Sequence, residues 1–529
     1  MGGNSATYHV PPQASKQTAR TLPMIRHLLT VSTGTLASRL LGFARDALTA
    51  ALLGAGPVAD AYLAAFQLIT VVRRLVTEGA LNAALVPSFL RVEAEQGARA
   101  AAAFAGRVLG TIGLLTIAAA LLLGVLTPFA LSLIAPGFDA PALAMASRAA
   151  RLMLPYIAFV GPVAVLMGLL NAKQRFAFAA FSPLLFNITL IAVLAFLLVR
   201  QPEAESAALI LAATIGIAGC LQLVALGTHG RRIASSIRPT FDAAMRRFLA
   251  SAVPGAAASA MPQLLILAGV VVASSSSSAV SWLYFANRLI DLPLGLVGVA
   301  MGTVLMPELF HAAQNDDRGH WLRTQRHAVV MALALSLPAT LGLMVLAEPV
   351  VFMLFQHGAF SAEDARATAG VLTALALGLP AQVLIKSLSP VFFAHGDTRT
   401  PLIATLGGVA IALIAGLLLQ PHWDAVGVAL AIALAAWGGL AWLALRAKRA
   451  YGLGLDAATG GQVTRIAAAA LLMAAVLRLI AEMAFPLSDF SALAGATAAL
   501  IIAAIGLYGL LLVAFGALKW QDLRAALRR

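Results

Sequence analysis

The sequence predicts an all-α polytopic membrane protein, on three observations. Of its 529 residues 61% are hydrophobic and only 11% charged, where a soluble domain has about half and about a quarter. Mean hydropathy is +0.91. The apolar residues also come in long runs, and roughly 20 such residues cross a bilayer as a helix. A water-soluble globular enzyme is excluded.

Fourteen transmembrane helices are expected, at 28–54, 58–90, 102–134, 147–171, 179–199, 206–228, 248–273, 279–310, 327–356, 367–393, 401–419, 424–445, 464–485 and 490–516. Span one carries Arg39, Gly42, Arg45 and Asp46 and stops at Gly54-Ala55-Gly56-Pro57, a turn signal. Span two opens with Asp60 and holds Arg73, Arg74 and Glu78. Ala135-Pro136-Gly137-Phe138 closes span three, and the polar turn Ser274–Ser278 separates spans seven and eight without evident chemistry of its own. Span eight carries Arg288, Asp291, Pro293 and Gly295. Several runs exceed 20 residues, which implies tilt or protrusion.

Basic residues set the orientation. With the N-terminus in the cytoplasm, twenty-five of the 36 basic residues fall in cytoplasmic segments, against Arg148, Arg151, Arg200 and Arg366 outside. That bias fits an even number of spans with both termini cytoplasmic. The net charge of +14 is therefore read as topology, with no nucleic acid as partner. Residues 1–23 lack the apolar run of a signal peptide and are expected to form a disordered cytoplasmic tail.

A weak repeat at a spacing near 220 residues pairs Ala61–Leu68 with Ser281–Arg288, Leu85–Pro87 with Leu305–Pro307, and Pro183 with Pro401. Spans separated by an even number share an orientation, so the expectation is two six-helix lobes related by a parallel pseudo-repeat. These are 24–230 and 231–446, followed by 447–529 with two C-terminal helices outside the repeat.

Once those at span ends are assigned to the flanking segments, seven basic residues remain within spans: Arg39, Arg45, Arg73, Arg74, Arg288, Lys386 and Arg478. Each costs about 2.5–3.5 kcal/mol at a span centre, so each should face a cavity or an acidic partner. Arg74 with Glu78 and Arg478 with Glu482 are spaced for local pairing. Lys386 has either a coupling role or a snorkelled position near the cytoplasm. Arg39, Arg45, Arg73 and Arg288 instead come from spans one, two and eight, the last two being repeat counterparts. Guanidinium groups suit bidentate contact with phosphate, so the four are expected to bind a polyanionic substrate in one central cavity. Asp46, Asp60 and Asp291 are the expected acidic partners. Gly42, Pro293 and Gly295 are read as hinge positions, with close helix packing as the competing role for each glycine.

The single cysteine, Cys220, and the scattered histidines supply no metal site, and no cofactor motif is present in the sequence. There is no phosphate-binding loop and no loop long enough for a nucleotide-binding domain.

Ser38-Arg39-Leu40-Leu41-Gly42-Phe43-Ala44-Arg45-Asp46, Gly54-Ala55-Gly56, Asp60-Ala61 and Arg73–Ala80 through Val86-Pro87 resemble the MurJ (MviN) lipid II flippase family. Ser281–Leu289 with Pro293-x-Gly295, and Ala135–Phe138, resemble it too, and the similarity runs from about residue 24 to near the end. The resemblance implies a flippase of the multidrug/oligosaccharidyl-lipid/polysaccharide exporter superfamily in the bacterial inner membrane. It would move undecaprenyl-pyrophosphate-linked peptidoglycan precursor to the periplasmic leaflet by alternating access, and would not be an enzyme. By position, Arg39, Arg45, Arg73 and Arg288 would line the cationic cavity, Glu78 would act at a gate, and the last two helices would hold the lipid tail. Implied partners are lipid II, membrane lipids and the cell-wall synthesis machinery. Where relatives read Lys-Leu-Pro-Asn ahead of the paired arginines, this chain has Gln67-Leu68-Ile69-Thr70. Spans seven, ten, eleven and twelve hold no Asp or Glu away from their ends, so membrane potential rather than sodium is the expected drive. The alternatives are a flippase for another polyprenyl-pyrophosphate-linked glycan and a cation-coupled drug exporter. The exporter would need acids, not arginines, in its cavity.

Overall fold

The computed structural model describes residues 14–77, 80–230, 233–300, 318–454, 456–484 and 490–517. Regular structure among them is helical, in fifteen helices. The first six are α1 (Ala14–Leu53), α2 (Pro57–Thr77), α3 (Ala80–Ile134), α4 (Ala140–Ala172), α5 (Phe176–Arg200) and α6 (Ala204–Gly230). Then come α7 (Ala243–Ala273), α8 (Ala279–Ala300), α9 (Arg318–Val345), α10 (Ala347–Phe355), α11 (Ala362–Ala376) and α12 (Leu379–Ala394). The last are α13 (Arg399–Tyr451), α14 (Ala457–Ala484) and α15 (Phe490–Ala514).

Among the described residues, eight helical stretches are long and apolar enough to cross a membrane, or nine if the bent pair α11 and α12 is one span. Expected spans and observed helices do not correspond one to one. Expected spans eleven and twelve are the two arms of α13, which turns back at Asp424 (φ 49°, ψ −134°), where the expected division falls. Pro421 lies three residues earlier and removes a helix donor there. A Cβ on Gly427 would sit 2.5 Å from the Leu419 carbonyl oxygen, so the two arms of α13 meet backbone to backbone. Expected span nine is divided at Leu346 into α9 and α10. Expected span ten bends by 42° between α11 and α12, where Gly378 precedes Pro380 in the first turn of α12. Helix α3 breaks at Gly97 (φ 85°, ψ 170°), a conformation essentially reserved for glycine. Helix α1 begins at Ala14, inside the segment expected to be an irregular tail, and residues 1–13 lie outside the described residues. So do Glu78 and the Leu305–Pro307 copy of the repeat.

Apolar side chains face outward as well as inward. Val125 and Val199 are 79% and 85% exposed, which suits lipid, where no polar surface is required. Inside, α3 packs on α4, α4 on α6, α1 on α5 and α2 on α4. In the second half α7 and α12 pack on α13, α8 on α11, and α9 on α14. The two halves of the chain meet through α1 and α10, α2 and α8, α2 and α7, and α3 and α7.

Candidate functional site

The polar centre of the molecule lies where α1, α2, α5 and α8 converge. Arg45 and Asp46 sit on α1, about 12 Å from its Gly54 end at 1.5 Å per residue. Both are buried, 8% and 2% exposed. On α8, Tyr284, Arg288 and Asp291 recur at four and three residues and so share one helix face.

Asp46 joins these elements. Its Oδ1 accepts from Arg45 Nε at 3.0 Å, from Arg45 Nη2 at 2.6 Å and from the Tyr284 hydroxyl at 3.1 Å. Its Oδ2 accepts from Arg288 Nε at 2.5 Å. Arg288 Nη1 also lies 3.6 Å from Asp291 Oδ2, and its guanidinium stands 5.8 Å from the Tyr284 ring centre. Arg45 Nη1 donates to Asn187 Oδ1 of α5 at 3.2 Å. The same guanidinium is faced by the rings of Phe66 and Phe186 at 5.4 and 6.0 Å. Arg45 is thus held by a carboxylate, an amide and two ring faces, which repay the desolvation of a buried charge. A cavity of about 10 Å³ beside Arg45, Asp46 and Tyr284 has room for one water.

The other expected arginines stand apart from this pair. Arg39 is exposed on α1 and lies seven residues, about 10 Å, from Asp46. Its guanidinium occupies the space over Gly295 of α8, where a Cβ would fall 1.7 Å from Nη1. Pro293 lies two residues before, inside the same helix. Arg73 is half-buried on α2, two turns from Phe66, and its carbonyl accepts from Thr77. Arg74 Nη1 donates to Gln263 Oε1 of α7 at 2.9 Å, joining the halves of the chain away from Asp46. Gly42 lies against the Asn187 side chain, 3.7 Å from where its Cβ would be. Arg478 pairs with Glu482 at 2.7 Å on the exposed face of α14.

Asp60 has a different role from an ion pair: its Oδ1 accepts from the backbone N–H and the hydroxyl of Ser281, at 2.8 and 2.5 Å, and so holds the start of α8. This contact belongs to a seam at the Gly54 end. The Ala359 N–H donates to the Ala51 carbonyl at 2.8 Å. The Gly137 N–H donates to Ser274 Oγ at 3.0 Å, and Trp282 Nε1 to Asp364 Oδ1 at 3.1 Å. Gly54 (φ 65°) and Gly358 (φ 59°) face each other's loops, so that a Cβ on either would lie 2.6 or 2.3 Å from a carbonyl oxygen. The turn Ser274–Ser278 is therefore part of a closure between the halves. Sequence reasoning also missed Asn187 and Gln263; each is an amide inside an apolar run, the signal that could have marked it.

The site combines two guanidiniums from distant parts of the chain with one carboxylate between them. Such an arrangement can take a phosphate anion when the carboxylate withdraws. Similarity to known proteins agrees with this architecture. A protein of Rhizobium meliloti described as a probable lipid II flippase MurJ is 36% identical over 520 residues, covering 96% of this chain and 97% of that one. The lipid II flippase MurJ of Burkholderia cenocepacia is 30% identical over 81% of this chain and 85% of its own. Among solved structures, "Lipid II flippase MurJ, inward closed conformation" superposes with a TM-score of 0.76 over 94% of this chain and 99% of that one, at 24% identity. An inward-facing transporter of the multidrug resistance MATE family superposes with a TM-score of 0.63 over 80% and 98%, at 15% identity. The family model described as "Lipid II flippase MurJ" matches residues 49–495, from the last turns of α1 through the start of α15. With the Gly54 seam and Arg288 inside that match and Arg45 and Asp46 just ahead of it, the chain belongs to the lipid II flippase MurJ family.

Proposed function

We propose that this protein moves lipid II, the polyprenyl-pyrophosphate-linked peptidoglycan precursor, from the cytoplasmic to the periplasmic leaflet of the bacterial inner membrane. The observation that carries the reading is Asp46 bridging Arg45 of α1 and Arg288 of α8, two cations from opposite halves of the chain. Arg45 and Arg288 bind the pyrophosphate, with Arg39 and Arg73 reaching the rest of the headgroup as the halves part. The chain crosses the membrane fourteen times in two six-helix lobes, with both termini cytoplasmic. The Gly54 seam then lies on the periplasmic side, and opening it while the other end closes gives alternating access. Glu78 gates the path and α14 with α15 holds the lipid tail. Membrane potential supplies about 2.3 kcal/mol per charge per 100 mV to return the cationic site.

The test is depletion of the protein in its host with leaflet-resolved labelling of lipid II. Accumulation in the cytoplasmic leaflet, rescued by the natural chain and not by Arg288→Ala, supports the reading. An unchanged lipid II distribution with another polyprenyl-linked glycan trapped inside overturns the substrate.

A further inference from the structure

Between α6 and α7 the chain runs as a strap over α3. Ser235 N–H donates to the Ala102 carbonyl at 2.9 Å, and Thr240 exchanges two 3.0 Å hydrogen bonds with the Thr111 hydroxyl. The fit depends on two glycines of α3: a Cβ on Gly106 would lie 1.8 Å from the Ser235 oxygen, and one on Gly110 would lie 2.7 Å from Arg238 carbon. Beside the strap is an open groove of about 400 Å³, lined by Gln96, Arg107, Ser236, Arg238 and Thr240. Arg107 Nη1 meets Asp242 Oδ2 at 3.2 Å, yet its Nε is buried without a hydrogen-bond partner. Arg238 is exposed.

The depth of this groove is set by α3. In the arm of α3 beyond Gly97, exposed large apolar residues run from Leu114 to Leu133, a rise of about 28 Å, close to the thickness of the hydrocarbon core. Arg238 lies against Gly110, four residues before Leu114, and so about 6 Å beyond that edge, in the headgroup layer. Ile237, between Ser236 and Arg238, and Phe241, next after Thr240, are 63% and 51% exposed. An interfacial segment has this character, with apolar side chains directed into the acyl boundary and basic ones held among the headgroups.

We propose that this groove binds the phosphate of an anionic phospholipid headgroup, held by Arg107 and Arg238 while Ile237 and Phe241 enter the acyl layer. The polar lining of Gln96, Ser236 and Thr240 supplies further hydrogen-bond partners to phosphate oxygens. Asp242, bonded to Arg107 Nη1 and to the Met245 N–H, occupies one side, and the exposed remainder of the Arg107 guanidinium faces the lipid. Because the strap joins α6 to α7, a bound lipid fixes the connection between the halves of the chain to α3. The inference is independent of which substrate the protein carries.

The test uses the full chain in phosphatidylcholine nanodiscs carrying a small fraction of photoreactive phosphatidylglycerol, with cross-links mapped by peptide mass spectrometry. Adducts are expected on the strap and on the facing turns of α3. Arg238→Gln should lower their yield by about fivefold, the equivalent of about 1 kcal/mol per arginine at a membrane surface. Adducts on the lipid-facing residues Ile502 and Ile505 of α15 should be unchanged, which shows that the variant is folded. Arg107→Gln added to Arg238→Gln should bring the strap adducts to the level given by photoreactive phosphatidylcholine. Equal labelling by the two lipids in the natural chain overturns the proposal. So does displacement of the adduct by inorganic phosphate, which would assign the groove to a soluble anion, or by lipid II, which would make it a substrate site.

Discussion

Asp46 and Arg288, 242 residues apart in sequence, are joined by a 2.5 Å hydrogen bond from Arg288 Nε to Asp46 Oδ2, while the other carboxylate oxygen is taken by Arg45 and Tyr284. One carboxylate therefore bridges two guanidiniums across the contact between α1 and α8. An anion that replaced it would need at least the same charge and two faces for hydrogen bonding, which a pyrophosphate has.

Removal of the Asp46 charge should be the most damaging change at the site. Asp46→Asn leaves Arg45 buried without its counterion, and breaking a buried pair costs about 3–5 kcal/mol. The thermal midpoint of the purified protein should fall by several degrees, and lipid II movement should be lost. Arg288→Lys keeps the charge but not the planar fork; it should restore less than about a tenth of the activity, an energetic difference of at least about 1.4 kcal/mol. Full activity with Lys would show that charge alone is read.

Gly295 keeps a place for Arg39. The Cβ of Gly295→Ala would lie 1.7 Å from Nη1, the far end of a flexible side chain, so the arginine must move while the helix stays. Membrane levels and thermal stability are expected to remain within about 0.5 kcal/mol of the natural chain, as helix propensity slightly favours Ala. Activity is expected to fall in the natural background and to show no further fall in an Arg39→Ala background. Additive losses in the double variant would separate the two residues.

The seam at Gly54 and Gly358 should be intolerant of any side chain. Gly358→Ala places a Cβ 2.3 Å from the Ala51 oxygen at φ 59°, a strain of about 1–3 kcal/mol in the closed form. With Cys220→Ser and a cysteine at Ala359, thiol labelling by an impermeant reagent should become faster in Gly358→Ala. Unchanged labelling would mean that the seam adapts without opening.

Ser281→Ala removes one of two donors to Asp60 and should cost about 1 kcal/mol. Asp60→Leu removes the acceptor from both and should cost more, because the Ser281 N–H is left buried without a partner. The comparison is made by thermal unfolding of the two variants. Equal losses would show that the hydroxyl carries the whole contact.

The intramembrane charges were legible in the sequence because a lipid environment makes every such residue costly; Arg45 and Arg288 could be named from their depth alone. Their common partner was not, because spacing along one helix says nothing of contacts across 242 residues. Asp46 was an expected acidic partner with no cation assigned to it; the structure gives it Arg45 and Arg288 and sets Arg39 over Gly295. Helical character was legible throughout, and so was the division at Asp424, which falls where expected span eleven ends and span twelve begins; the break at Leu346, inside expected span nine, was not, because hydropathy runs on through it. The serine turn before α8 was overlooked because its partners, Gly137 and Gln420, lie in segments brought close only by the fold.

At Gly54 and Gly358 the two loops touch through peptide groups, with no side chain between them. A joint of that kind hides little oil from water. Parting the loops themselves forfeits a few polar contacts that water can remake at once, and the hydrophobic resistance lies behind them, where Phe43 meets Phe355. A joint of peptide groups can therefore rest shut without itself being glued, and the energy that separates its two loops is small beside that of the packed side chains around them.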